Sequence, residues 1–294
     1  MSWKAAVCSE IGTRHCHQDL PCQDYGQYVQ VGSVLIGAVS DGAGSARHAE
    51  VGAKIAVETA LSHLQAQIGL SADLKGQKAK AAFAGFHSVR PEDIKIPRLE
   101  DGGRNQLPQF AEDEANRLFT STMMAVVAAL QNQADAEAYD LADLACTLLV
   151  FIATPDWLAA MQVGDGFIVV ETSEVDLELL FRPSKGEYIN ETCFVTSPNA
   201  LDQMQVRVCL ERPQFVCAAT DGLEKVAIRF QDWLPFSPFF QPLVACLQTT
   251  PAEATAYLQS FLSSERLNAR TDDDKTLLLG LYDQESQSHE AAQD

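Results

Sequence analysis

Positive charge is scarce in this chain. Its 294 residues hold 21 Lys and Arg against 40 Asp and Glu, a formal net charge of -19. A surface that neutralises nucleic-acid phosphates needs the opposite balance, so DNA or RNA binding is excluded as a principal role. Long apolar runs are missing too. No stretch approaches the roughly 20 residues that cross a bilayer, and Met1 to Glu10 carries neither the apolar stretch nor the cleavage site of a secretory signal. The expectation is a cytoplasmic protein without a membrane partner. Paired cysteines are absent as well: none of the 8 falls in a C-x2-C spacing. Cys8, His15, Cys16, His17 and Cys22 lie near one another, but without that spacing a zinc finger is not supported, and they are expected to pack in loops and strands. Cys146, Cys209 and Cys217 sit inside apolar runs and are expected as reduced, core-filling thiols.

The remainder is an ordinary globular composition, 47% hydrophobic and 21% charged, with enough apolar residues for a core. Tyr25 to Val39 reads as a hairpin turning near Gly32. It runs into the small-residue loop Ser40-Asp41-Gly42-Ala43-Gly44-Ser45 and then a helix over Glu50 to Gln67. Residues 69–108, with Lys75, Lys78, Lys80, Pro91, Pro97 and Gly102-Gly103, read as a mobile surface insertion. A second helix is expected from about Gln109 to Gln133. Ala145 to Ala153, Trp157 to Val163 and Phe167 to Val170 read as an antiparallel meander. Further strands are expected over Leu177 to Phe181, Gln205 to Leu210, Gln214 to Ala219 and Thr276 to Tyr282, and one long helix over Phe239 to Ser264. Helices grouped between sets of strands favour an α+β architecture with packed sheets and outer helices. One domain over residues 1–283 is expected, followed by a polar, acidic and disordered tail over 284–294.

The informative feature is the recurrence of Asp at strand ends: Ser40-Asp41-Gly42, Gly164-Asp165-Gly166 and Thr220-Asp221-Gly222 each follow an apolar run. One Asp-Gly is commonly only a turn. Three, joined by Gln23-Asp24 before the first hairpin and Thr271-Asp272-Asp273-Asp274-Lys275-Thr276 before the last strand, gather carboxylates at five strand ends. Carboxylates crowded at one rim repel one another unless cations neutralise them, and oxygen-only ligands suit Mg2+ or Mn2+ better than zinc. Two such ions about 3.5–4 Å apart activate a bridging water and clamp phosphoryl oxygens, so phosphate ester hydrolysis is the leading chemistry.

In these residues the chain resembles the metal-dependent protein phosphatases of the 2C type. The matching elements occur in the family's order: Asp24, Asp41-Gly42-Ala43-Gly44, Cys146-Thr147, Val163-Gly164-Asp165, Ala219-Thr220-Asp221-Gly222-Leu223 and Asp273-Asp274-Lys275-Thr276. Pro21-Cys22-Gln23-Asp24 and Gly186 to Thr192 look like a divergent bacterial branch. The resemblance implies a four-layer α-β-β-α sandwich, two antiparallel sheets flanked by helices, with a cleft for two ions, Mg2+ or Mn2+, and room for a third. Asp41 resembles the carboxylate that bridges both metals, and the Gly42 carbonyl resembles a backbone ligand. Asp221 and Asp273 look like ligands of the second ion, Asp24 like an acid meeting the metals through water, and Asp165 like a ligand of the third.

The departures matter. Ala43 stands where the family often carries a His, leaving His15, His48 or a metal-bound water to protonate the leaving group. Asp274 replaces the usual Asn and is expected to add negative charge beside the metals. Both Asp19 and Asp24 fit the N-terminal acid, with Asp24 preferred, and Arg14 then serves as a phosphate clamp through its forked guanidinium. The implied activity is hydrolysis of phosphoserine or phosphothreonine on protein by direct water attack. Implied partners are a phosphorylated protein and a Ser/Thr kinase or its target, for a monomeric enzyme. The alternative is a catalytically weak phosphopeptide-binding or regulatory module of the same fold, motivated by Ala43 and Asp274. A phosphatase for small metabolites is a third reading, disfavoured for acidic substrates by the chain's own field.

Overall fold

The computed structural model describes residues 2–68, 106–182 and 192–283. Its strands are β1 (Ser2–Glu10), β2 (Tyr25–Val31), β3 (Val34–Ser40), β4 (Leu148–Ala153), β5 (Leu158–Val163), β6 (Phe167–Thr172), β7 (Glu178–Leu179), β8 (Gln205–Cys209), β9 (Pro213–Ala219), β10 (Ile228–Arg229), β11 (Leu234–Pro235) and β12 (Lys275–Asp283). Two antiparallel five-stranded sheets result, in the orders β1-β12-β9-β6-β7 and β2-β3-β4-β5-β8, with β10 and β11 forming a small ribbon. The helices are α1 (Thr13–His17), α2 (Ala49–Gln67), α3 (Gln106–Glu137), α4 (Ala200–Gln203), α5 (Glu224–Ala227), α6 (Ser237–Leu247), α7 (Pro251–Leu262) and α8 (Glu265–Asn268).

The sheets stack face to face, with Leu35, Val39, Leu149, Phe151, Ile168, Val216 and Leu278 interleaved between them. On the outer face of the second sheet, α2 and α3 pack through a second apolar layer. Along α2 the buried positions Ala49, Ala53, Ala56, Val57, Ala60, Leu61 and Leu64 recur every three or four residues, and their small side chains let the helix approach closely. Phe119, Met123, Val126 and Leu130 form the matching stripe of α3; full burial stabilises by roughly 1.5–3 kcal/mol for each such large side chain. The first sheet is covered by α6 and α7. Four layers, α-β-β-α, are thus built as expected. In β4 and β5 every residue is buried, because each strand lies between a sheet on one side and helices on the other.

The structure differs from the sequence reading in several places. The expected meander is broken: β4 and β5 pair, but β6 crosses to the other sheet and pairs with β7 and β9. The crossing is made at Gly164-Asp165-Gly166, where Gly164 has φ +109°. The single helix expected over Phe239 to Ser264 is two, because Thr250 caps a new helix with Pro251 at its start; its hydroxyl accepts the Glu253 N–H while the Glu253 carboxylate accepts the Thr250 N–H. α3 is longer than expected and begins inside the segment read as an insertion. The first strand, β1, was not anticipated. The rest of that insertion, most of the Gly186 to Thr192 motif and the tail over 284–294 lie outside the described residues. Among the described residues no helix is long and apolar enough to cross a membrane.

Candidate metal centre

Strand ends from both sheets deliver carboxylates to one end of the sandwich. Asp41 directly follows β3, Asp221 lies just past β9, and Asp165 sits in the β5–β6 crossing. One carboxylate oxygen from each of these three lies within 4.8 Å of the others. The Asp41 backbone is pinned by Thr147: the Asp41 N–H donates to Thr147 Oγ1 at 2.9 Å, and the Thr147 N–H returns to the Asp41 carbonyl at 2.8 Å. Gly42, beside Cys146, donates its N–H to the Gln23 carbonyl at 3.1 Å, tying the loop to the residue before Asp24. On the other sheet Thr276 N–H donates to Thr220 Oγ1 at 2.9 Å, so the strands before Asp221 and after Asp273 are cross-linked.

Asp24 is buried at the same end. Thr220 Oγ1 donates to its Oδ2 at 2.6 Å, whereas its Oδ1 is buried with no hydrogen-bond partner. Burial, first, pushes the Asp41 carboxyl well above the ordinary range, and the charges of Asp24, Asp221 and Asp165 push it further. Burial likewise raises Asp24, against the stabilising hydrogen bond from Thr220. Asp221 is raised to about 6 by burial and then by Asp165 and Asp273, with the Gly222 N–H opposing. Glu224, at the start of α5, is raised to about 7 by burial and then by Asp221 and Asp165. It is an acidic neighbour that the sequence reading missed, since no strand-end pattern marks it.

Asp273 lies within electrostatic reach of Asp221 but is bound to Arg14, whose Nη2 donates to its Oδ1 at 2.7 Å. Arg14 stands on α1 and also approaches Gly44 of the Asp41 loop. Asp274 lies close enough for its negative charge to raise Asp24, and it also has structural partners of its own. It is 3% exposed, and its carboxylate accepts from Gly12 N–H at 2.6 Å, Gln23 N–H at 2.6 Å and His15 Nδ1 at 2.9 Å. This side chain is a clamp that ties β12 to the N-terminal segment. His15 is thereby buried and engaged, and His48 stacks on Tyr139 at 3.9 Å. Asp19 is exposed on the turn after α1, away from the buried position that Asp24 takes.

Oxygen-only donors, a carboxylate oxygen left buried without a donor, and several acids lifted together by burial first and mutual repulsion second fit a hard divalent cation. Among the described residues the Cys and His of the N-terminal segment form no metal-holding group, and all eight cysteines are free thiols.

The Protein phosphatase 2C family model matches residues 11–263. Serine/threonine-protein phosphatase 3 of Escherichia coli (strain K12) is 33% identical over 292 residues, spanning 96% of this chain and 99% of the relative. Among solved structures, the S. agalactiae serine/threonine phosphatase superposes with a TM-score of 0.57 at 12% identity, covering 96% of this chain and 100% of that one. Serine/threonine phosphatase Stp1 from Staphylococcus aureus gives 0.52 at 11% identity, covering 96% of each chain. At such identities the structural likeness speaks for the fold.

Proposed function

The chain belongs to the protein phosphatase 2C family and is a serine/threonine protein phosphatase of that type; from this premise we propose a Mg2+- or Mn2+-dependent enzyme acting on phosphoserine and phosphothreonine in proteins. The observation that carries the metal dependence is the convergence of Asp41, Asp165 and Asp221 within 4.8 Å, from strand ends far apart in sequence. In this reading Asp41, the Gly42 carbonyl, Asp221 and Asp273 hold two ions, Asp24 acts through water, and Asp165 serves a third. Bound there, the ions would supply Lewis acidity toward phosphoryl oxygens and an activated water for attack on phosphorus.

The protein's own groups do the rest. Arg14 stands between Asp273 and the Asp41 loop, with a guanidinium half open to solvent that can take phosphoryl oxygens in a forked pair of hydrogen bonds. Thr147 and Thr220 hold the backbones and carboxylates in place, so little reorganisation is needed when a phosphate arrives. Substrates would be proteins phosphorylated by a Ser/Thr kinase.

The test is phosphate release from a phosphothreonine peptide with and without Mn2+ or Mg2+. Release should need the cation and fall at least about 100-fold in Asp41→Asn and Asp221→Asn, as expected on losing a ligand or its support. Undiminished turnover by Asp41→Asn would overturn the reading. Tight cation-dependent peptide binding without phosphate release would select the binding-module alternative.

A further inference from the structure

We propose that Gln162 is a positioning residue for Asp165 and sets how tightly the centre holds the cation that Asp165 helps to bind. The inference rests on the reading of Asp165 as a cation ligand. Gln162 lies on β5, three residues before Asp165, on the same face as Leu158 and Ala160, which point into the layer between the sheets. It is 6% exposed, at the end of that layer where β5 gives way to the crossing. Its Nε2 donates to the Gly164 carbonyl at 3.0 Å and to the Gly166 carbonyl at 2.8 Å. These two carbonyls flank Asp165, so one amide braces the backbone on both sides of the carboxylate.

The braced turn is also wedged between the neighbouring acids. A Cβ at Gly164 would come 2.5 Å from Thr147 Cβ, and Thr147 is the residue that accepts the Asp41 N–H. A Cβ at Gly166 would come 2.6 Å from the carbonyl oxygen of Ala219, two residues before Asp221. The turn thus bears on the frames of both other acids, while Thr192 Oγ1 donates to the Asp165 carboxylate itself at 2.5 Å. Glutamine's chemistry suits the brace: its side-chain amide brings two N–H donors without a charge, whereas Met, of similar size, has none and Glu would oppose the carbonyls. The orientation follows from the same contacts, since a flipped amide would set oxygen against two carbonyl oxygens. Gln162 Oε1 is left buried without a donor, a stability cost that marks the residue as serving the turn rather than the core.

The experiment measures Mn2+ binding to the full chain by calorimetry and by the electron paramagnetic resonance of free Mn2+, alongside urea unfolding in EDTA. Gln162→Met should weaken the weakest Mn2+ site about tenfold, the usual effect of losing an outer-shell partner, as Asp165→Asn also should. The double variant should be no weaker than Asp165→Asn alone. Met161→Ala, a buried change on the opposite face of the same strand, should lose stability and keep the Mn2+ isotherm. Should Gln162→Met fail to fold, Gln162→Asn, which withdraws the donors on a shorter stem, carries the same comparison. A Gln162 variant that unfolds more readily yet binds Mn2+ like the parent overturns the proposal, and so does additivity with Asp165→Asn. Unchanged binding in Asp165→Asn would instead remove the reading on which the proposal stands.

Discussion

Replacing Asp274 with Asn alters almost no volume, yet the structure makes it a costly change. The carboxylate is 3% exposed and meets three donors: Gly12 N–H on Oδ1, and Gln23 N–H and His15 Nδ1 on Oδ2. An Asn has one acceptor oxygen, so its NH2 must face a buried N–H whichever way the amide turns. The cheaper orientation surrenders the Gly12 contact alone. That removes a charge-assisted hydrogen bond of about 1.5–3 kcal/mol and leaves a buried donor unpaired at about 1–3 kcal/mol, so a loss near 4 kcal/mol is expected. At roughly 2–4 °C per kcal/mol for a chain of this size, Tm should fall by about 10 °C. The measurement is calorimetric or urea unfolding in EDTA, which keeps cation linkage out of the comparison. Asp273→Asn is the internal reference: its partner Arg14 is half exposed, so stability should change by no more than about 1 kcal/mol. An Asp274→Asn variant within about 1 kcal/mol of the parent would refute the clamp.

Three further outcomes are expected. Asp221 and Glu224 sit at about 6 and about 7 in the fold, against about 4 in an unfolded chain. The metal-free fold then holds more protons than the unfolded chain between those values, and its stability falls as pH rises through about 4 to 7. Tm in EDTA should be higher at pH 5 than at pH 8 by an amount reflecting roughly 1–1.5 kcal/mol from Asp221, since about half of its linkage is already lost by pH 5, with a further part from the more open Glu224, and saturating Mn2+ at pH 8 should recover it. Arg14→Ala should lower kcat/KM for a phosphopeptide by about tenfold or more while changing unfolding free energy by under about 1 kcal/mol, checked by steady-state kinetics and urea melts. Thr250→Ala removes the cap of α7 and should cost about 1 kcal/mol in urea unfolding with unchanged phosphate release.

Much of the fold was legible because its signals are local. The hairpin β2–β3 and the α2 pattern depend on periodicity and turn chemistry within a few residues. Asp41 and Asp221 stood out because an acid next to Gly at the end of an apolar run is visible without tertiary information. The β5–β6 crossing was not, since the same Gly-Asp-Gly serves a hairpin or a change of sheet, and strands buried on both faces show no alternation to tell them apart. β1 escaped because its partial burial gives no clean period, and its pairing with β12 spans the whole chain. In the sequence Asp274 reads only as added negative charge beside the metals. Only the donors of Gly12, Gln23 and His15, more than 250 residues away in sequence, reveal it as a structural anion. Gln162 and Glu224 were invisible for the same reason: their significance lies in what folding brings beside them.

Asp24 and Asp41 hang from one sheet, Asp221 and Asp273 from the other, and Asp165 from the link between the two. The gaps among these acids therefore gauge the slip of one sheet over its neighbour. A side chain such as Phe151, wholly enclosed in the stacked layer, helps fix that alignment though it stands in the middle of a strand. Close-packed interiors transmit strain, so hollowing the layer there, or squeezing the molecule under pressure, would retune the mouth of the sandwich from a distance.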